Sequence, residues 1–202
     1  MGKRTRLPVG LRSWSGNMRK TCRRYNEPGH AHELTFSCYQ RLPLLSKDRT
    51  RQWFLDALEQ ARGLHCFDLW AYVVMPEHAH VLLIPRSNVY DISSILKSIK
   101  QPVARRATEF LAANSPDFLE RLRVVRPSGK IEHRFWQQGG GYDRNVVEPA
   151  TAWKVVRYLH ENPVRRGLVS SATDWPWSSA RNYAGLTDVK LHVDGCPPDS
   201  IS

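Results

Sequence analysis

The stretch LHCFDLWAYVVMPEHAHVLLIP, residues 64–85, constrains the fold more than any other part of the chain. Two apolar, β-prone runs flank Pro76 and Glu77, and such a pair reads as the tight turn of an antiparallel hairpin. Residues 64–75 are expected as one long strand and residues 78–85 as its return. Before it, ELTFSCY (33–39) is a short strand, and residues 46–63 carry apolar positions 53, 54, 57, 58 and 61 in helical period, with Gly63 placed to stop the helix. After it, residues 91–113 suit a helix capped by Asp91, which Pro102 is expected to kink or split. Residues 121–138 read as two β segments around a Ser-Gly turn, and Gly139, Gly140 and Gly141 as a flexible joint. Residues 148–162 form a helix with Pro149 in its first turn, ended by Pro163. This order (β, α, β-hairpin, α, β-hairpin, α) predicts an α+β fold, an antiparallel sheet with helices packed on one face.

At 202 residues, 41% hydrophobic and with seven tryptophans, the chain suits one packed domain. No apolar run approaches the roughly 20 residues that span a bilayer, and no signal core follows the basic start. No membrane partner is expected, and a soluble, intracellular protein is. The four cysteines (Cys22, Cys38, Cys66 and Cys196) form no C-x-x-C pair, which argues against a zinc ribbon or redox motif. Most of the net charge of +11 sits in residues 1–24, where Lys3, Arg4, Arg6, Arg12, Arg19, Lys20, Arg23 and Arg24 meet no acid. Such an arm suits contact with a polyanion such as nucleic acid; a solubilising tail or a transit peptide has the same composition. The expected organisation is a basic arm (1–24), a folded domain (25–186) and a loose tail (187–202).

His-Ala-His occurs twice, at His30 to His32 and at His78 to His80. Residues two apart on a strand share a face, about 6.6 Å apart by strand rise, so His78 and His80 can reach one divalent cation while Ala79 turns into packing. Two imidazoles leave the shell open, as a catalytic ion needs. The alternative is two satisfied or surface histidines. The first pair follows Pro28 and Gly29, where irregular backbone is expected, and reads as loop histidines. In WKVVRYLHENP, Tyr158 and Asn162 lie one helical turn apart and can address one site, although Asn162 precedes a proline and could sit at the cap. Tyr158 could equally be a core aromatic.

YVVMPEHAHVLLIP together with VVRYLHENPVRRGLV resembles the paired signature of the REP-associated tyrosine transposases, single-tyrosine members of the HUH endonuclease superfamily. HRFWQQGGGYDRNV (133–146) and DWPWSSARNYAG (174–185) are similar to further family segments, so the resemblance spans roughly residues 23–186. It implies a ferredoxin-like, HUH-type sandwich in the bacterial cytosol or nucleoid. It also implies His78, His80 and Asn162 as ligands of Mg²⁺ or Mn²⁺, and Tyr158 as the nucleophile toward single-stranded or hairpin DNA, in repetitive extragenic palindromes. The chain departs from the pattern at Glu77, where the family usually has Asn; an added oxygen ligand or an altered metal preference is the expectation there. The chemistry is coherent. A phenol with a pKa of about 10 needs a nearby cation to favour the phenolate. Its attack on a phosphodiester gives a 5′-phosphotyrosine and a free 3′-OH, so the strand can be rejoined without ATP.

Lys97, Lys100, Arg105 and Arg106 make the middle helix basic, and Lys154, Arg157, Arg165 and Arg166 surround the tyrosine. With Arg23 and Arg24 of the arm they are candidate phosphate contacts, or else solvated faces. Trp136, Trp175 and Trp177 could stack on bases or fill the core. No obligate protein partner is evident. The glycine joint is a plausible hinge for a helix-swapped dimer, with a monomer favoured. Two other readings remain: a non-catalytic nucleic-acid-binding regulator, and a metal-dependent phosphodiesterase without a covalent intermediate.

Overall fold

The structure, a computed structural model, describes residues 25–139, 141–195 and 197–198. The basic arm with Arg23 and Arg24, and also Cys22, Gly140 and Cys196, lie outside the described residues. Four strands, β1 (Ala31–Ser37), β2 (Phe67–Val74), β3 (His78–Pro85) and β6 (Tyr142–Val146), form one antiparallel sheet in the order β2-β3-β1-β6. With α1 (Asp48–His65) between β1 and β2, and α2 (Ile92–Asn114) between β3 and β6, the chain follows the βαββαβ path of a ferredoxin-like fold. A short α3 (Pro116–Glu120) follows α2. β4 (Arg123–Val125) and β5 (Ile131–His133) form a separate two-stranded hairpin around Gly129, as the Ser-Gly turn predicts. α4 (Pro149–Arg165) and α5 (Ala180–Tyr183) complete the elements.

Helices cover both faces of the sheet rather than one. Leu34, Phe36, Val81 and Leu83 pack against Phe54, Leu58, Ile95 and Ile99 of α1 and α2. Residues of the opposite alternation, Ala71, Val73, Met75 and Leu82, pack against Val155, Val156 and Leu159 of α4. The reason is visible in β2 and β3, which are apolar on both alternations and bury both. Trp136 and Trp177 belong to the core, and the Trp175 indole N–H donates to the Val74 carbonyl.

The three helix stops differ from expectation, each for a local reason. Gly63 stays helical, at a cost of about 1 kcal/mol relative to alanine. The left-handed Cys66 (φ 49°) ends α1 instead. Pro102 does not break α2, because Ile95, Ile99, Val103 and Ala107 continue one buried face across it. Pro163 lies inside α4, which runs to Arg165 and is closed by left-handed Gly167 (φ 66°). The stretch after 186, expected to be loose, is docked: the Tyr72 hydroxyl donates to the Leu191 carbonyl, and the Asp194 N–H to the Leu69 carbonyl. No helix among the described residues is long and apolar enough to cross a membrane.

Candidate active site

Polar residues interrupt the apolar alternation of three strands at one place. On β1, Glu33, Thr35 and Ser37 share the face that α4 covers, and register pairs Thr35 with His80 and Ser37 with His78 on β3. On β6, Tyr142 and Arg144 continue that face, paired with Thr35 and Glu33. α4 crosses above and presents Tyr158, Asn162 and Arg165 at intervals of about one turn. These side chains, with Arg41 and Arg166, line a single cleft of about 680 Å³.

The His78 and His80 ring centroids are 4.8 Å apart, and the His80 and Tyr158 centroids 5.6 Å, each pair edge to face. Tyr158 is 41% exposed, so it is not a core aromatic; the apolar face of α4 is carried by its neighbours. Asn162 is buried within helical backbone, and its side-chain amide lies 3.3 Å from His80 Nε2. Each imidazole has its Nδ1 engaged elsewhere. His80 Nδ1 is 2.7 Å from the Thr35 hydroxyl, and His78 Nδ1 is 3.1 Å from Glu77 Oε1. Burial pushes the His80 pKa down to about 3, with His78 beside it adding to the effect. Burial also lowers His78; Glu77 opposes this, while Arg166 and Arg41 reinforce it. Both rings are therefore neutral at neutral pH.

Four arginines reach the cleft. Arg144 pairs with Glu33 at 2.7 Å, Arg166 with Glu77 at 2.9 Å, and the Arg165 guanidinium lies 5.7 Å over the Tyr158 ring. Arg41 arrives on an unusual turn in which Gln40 (φ 51°) and Arg41 (φ 55°) are both left-handed, an arrangement that costs non-glycine residues about 1–2 kcal/mol each. The Gln137 side-chain carbonyl accepts the Gln40 N–H at 3.1 Å and helps to hold it. Sequence reasoning missed Arg41 and Arg144. The Glu33, Thr35, Ser37 alternation was a readable signal for the polar face; nothing in the sequence marks the Arg41 turn.

The remaining candidates fall elsewhere. Lys97, Lys100 and Arg105 line two grooves along α2, on the other face of the sheet. Arg106 pairs with Asp56 at 3.2 Å. Lys154 and Arg157 are exposed on α4 but do not line the cleft. His32 corrects the expected loop: it lies within β1, fully buried, on the face opposite His80. Its Nδ1 meets Asp143 and its Nε2 the Tyr90 hydroxyl, both at 2.9 Å. His30 Nδ1 lies 3.0 Å from the Asn145 amide. Among the described residues, no group of three or more His, Cys, Asp or Glu is placed to hold a metal. The His78 and His80 imidazoles and the Asn162 amide lie together in the cleft, and the Glu33 carboxylate that also lines it is paired with Arg144.

No protein-family model matches the chain. A curated protein of Haemophilus influenzae, described as a REP-associated tyrosine transposase, is 24% identical over 168 residues, covering 75% of this chain and 90% of its own length. A solved structure of a REP-associated tyrosine transposase bound to a REP hairpin is similar with a TM-score of 0.62 at 22% identity, covering 89% of this chain and 98% of that one. At that identity the likeness shows the fold.

Proposed function

We propose that this cleft is the active site of a metal-dependent, single-tyrosine endonuclease and strand transferase acting on single-stranded DNA, in hairpin-forming repeats of the kind the similar solved structure binds. The reading rests above all on Tyr158, His78, His80 and Asn162 meeting in one cleft although they come from a hairpin and a helix far apart in sequence. The named relatives support it at the level of a DNA-processing transposase.

The residues present fit a divalent cation. Ligand histidines must be neutral and carry a free lone pair, and both rings are neutral with Nδ1 committed to a partner. His78 and His80 would hold the ion with Asn162, whose amide can turn its oxygen toward the site. Mixed nitrogen and oxygen donors suit Mn²⁺ or Mg²⁺, which polarise a phosphodiester and offset its developing charge. Tyr158 Oη attacks phosphorus and gives up its phenolic proton as the O–P bond forms; the P–O3′ bond breaks, and the 3′ oxygen takes up a proton in its place and leaves as a hydroxyl. The downstream strand stays on the enzyme as a 5′-phosphotyrosine until a 3′-OH reverses the step. Arg165, over the ring, offsets the negative charge on the phenol oxygen, and Arg41 at the mouth meets a backbone phosphate.

Incubation of the protein with hairpin DNA and Mn²⁺ tests this. The 3′-labelled strand should give an adduct stable to denaturant, and the 5′-labelled strand a free product. His78→Ala and His80→Ala should abolish both while hairpin affinity is kept. Cleavage with no adduct would mean hydrolysis by water, and binding without cleavage a regulator.

A further inference from the structure

The two-residue turn that carries Glu77 is fastened on every side. The Met75 N–H donates to the His78 carbonyl, the Leu45 N–H to the Pro76 carbonyl and the Cys38 N–H to the Glu77 carbonyl, each at 2.8 Å. The Glu77 side chain cannot wander from so short and anchored a loop, and it is only 11% exposed. A buried carboxylate must be paired, and Glu77 has two partners on one oxygen: Oε1 lies 3.1 Å from His78 Nδ1 and 2.9 Å from the Arg166 guanidinium. Arg166 comes from the first residue after α4, the helix that also carries Tyr158.

We infer that Glu77 is a positioning residue: anchored by Arg166, its carboxylate accepts the Nδ1–H of His78, fixes that tautomer, and leaves Nε2 to face the cleft. A carboxylate accepts and never donates when ionised, so a neutral imidazole beside it must place its proton on Nδ1. The alternative tautomer would set two lone pairs against each other and put a proton where a ligand lone pair is needed. This role replaces the direct oxygen ligand expected of Glu77 from the sequence. The contact also ties the metal-side hairpin to the tyrosine helix, because the same oxygen holds Arg166. His80 has a parallel arrangement through Thr35, on a different strand. The consequence for metal affinity rests on the proposed function; the tautomer itself does not.

Two measurements on Glu77→Leu, Glu77→Gln and Arg166→Gln keep those two levels apart, with circular dichroism confirming that each variant folds. Long-range ¹H–¹⁵N correlation spectra of the metal-free protein read the His78 tautomer directly. The wild type should show Nδ1–H; Glu77→Gln, whose side-chain carbonyl still accepts, should keep it; Glu77→Leu should lose it. Mn²⁺ titration should then show about 10–100-fold weaker binding for Glu77→Leu, with Arg166→Gln and Glu77→Gln falling between it and the wild type. An unchanged tautomer in Glu77→Leu overturns the inference. So does Glu77→Gln keeping the tautomer yet losing Mn²⁺ as completely as Glu77→Leu, which would make the carboxylate a ligand. If the tautomers behave as stated but no form, wild type included, binds Mn²⁺, the positioning role stands and the metal reading of the cleft fails.

Discussion

His160 packs against Tyr183, its Nε2 lies 2.9 Å from the Ser179 hydroxyl, and burial lowers its pKa to about 4. A histidine held neutral in the fold binds fewer protons than the same residue in the unfolded chain, where its pKa is about 6.5. Its contribution to stability is therefore complete above about pH 6.5 and is lost as pH falls toward about 4. His80 is lowered by the same cause. Urea unfolding should show stability declining from pH 7 to pH 5, and His160→Gln should flatten part of that decline; an identical slope in the variant would contradict the assignment. Cysteine chemistry separates two residues in the same way. Burial pushes the Cys38 thiol up to about 12, while Cys66 is exposed. Iodoacetamide at pH 8 should label Cys66 in the native protein and Cys38 only after unfolding, as peptide mapping would reveal. Residue chemistry was partly legible in the sequence: strand alternation alone brought His78 and His80 together and left Ala79 for the core. His32, with the same flanking pattern as His80, could not be placed, because its partners Asp143 and Tyr90 come from distant segments.

At the scale of elements, the hairpin β2–β3 and the helices α1, α2 and α4 follow from apolar period; their ends differ by a few residues, and α2 continues unbroken through Pro102. Proline rules failed at Pro102 and Pro163 because packing on the sheet outweighs one missing intrahelical hydrogen bond. β6 was not expected at all: YDRNV is polar and short, as edge strands often are, and only its pairing with β1 defines it. The glycines before it read as a hinge, yet Gly141 is packed tightly. At φ 72°, a Cβ there would fall 2.2 Å from the Thr35 carbonyl oxygen, beneath the residue that holds His80. Gly141→Ala should therefore lower the melting temperature and weaken Mn²⁺ binding together. A variant that keeps wild-type values for both would show that this approach is not needed. Leu159, fully buried where α4 packs on the sheet, is the contrasting case: Leu159→Ala should cost about 2–5 kcal/mol in urea unfolding, the usual range for a large-to-small core change.

Across the whole molecule the sheet divides two kinds of surface. The α4 face holds the cleft, and the α2 face carries Lys97, Lys100 and Arg105 along its grooves. Fold class and the cleft's central residues were accessible from the sequence, whereas this division was not, since charge counts carry no information on facing. If α2 contacts the DNA backbone, the double variant Lys97→Gln, Arg105→Gln should bind the hairpin more weakly. The slope of log affinity against log salt should then fall by about 0.7–0.9 for each phosphate no longer neutralised. Adduct yield at saturating DNA should stay unchanged; an unaltered slope would remove α2 from the interface. In the proposed reaction Tyr158 becomes joined to DNA, and the cleft holds a second tyrosine, Tyr142, that could take that role instead. Mass spectrometry of the adduct after nuclease and protease digestion decides between them. A residual phosphonucleotide is predicted on the peptide containing Tyr158, absent in Tyr158→Phe; modification of Tyr142, or of neither, would contradict the assignment.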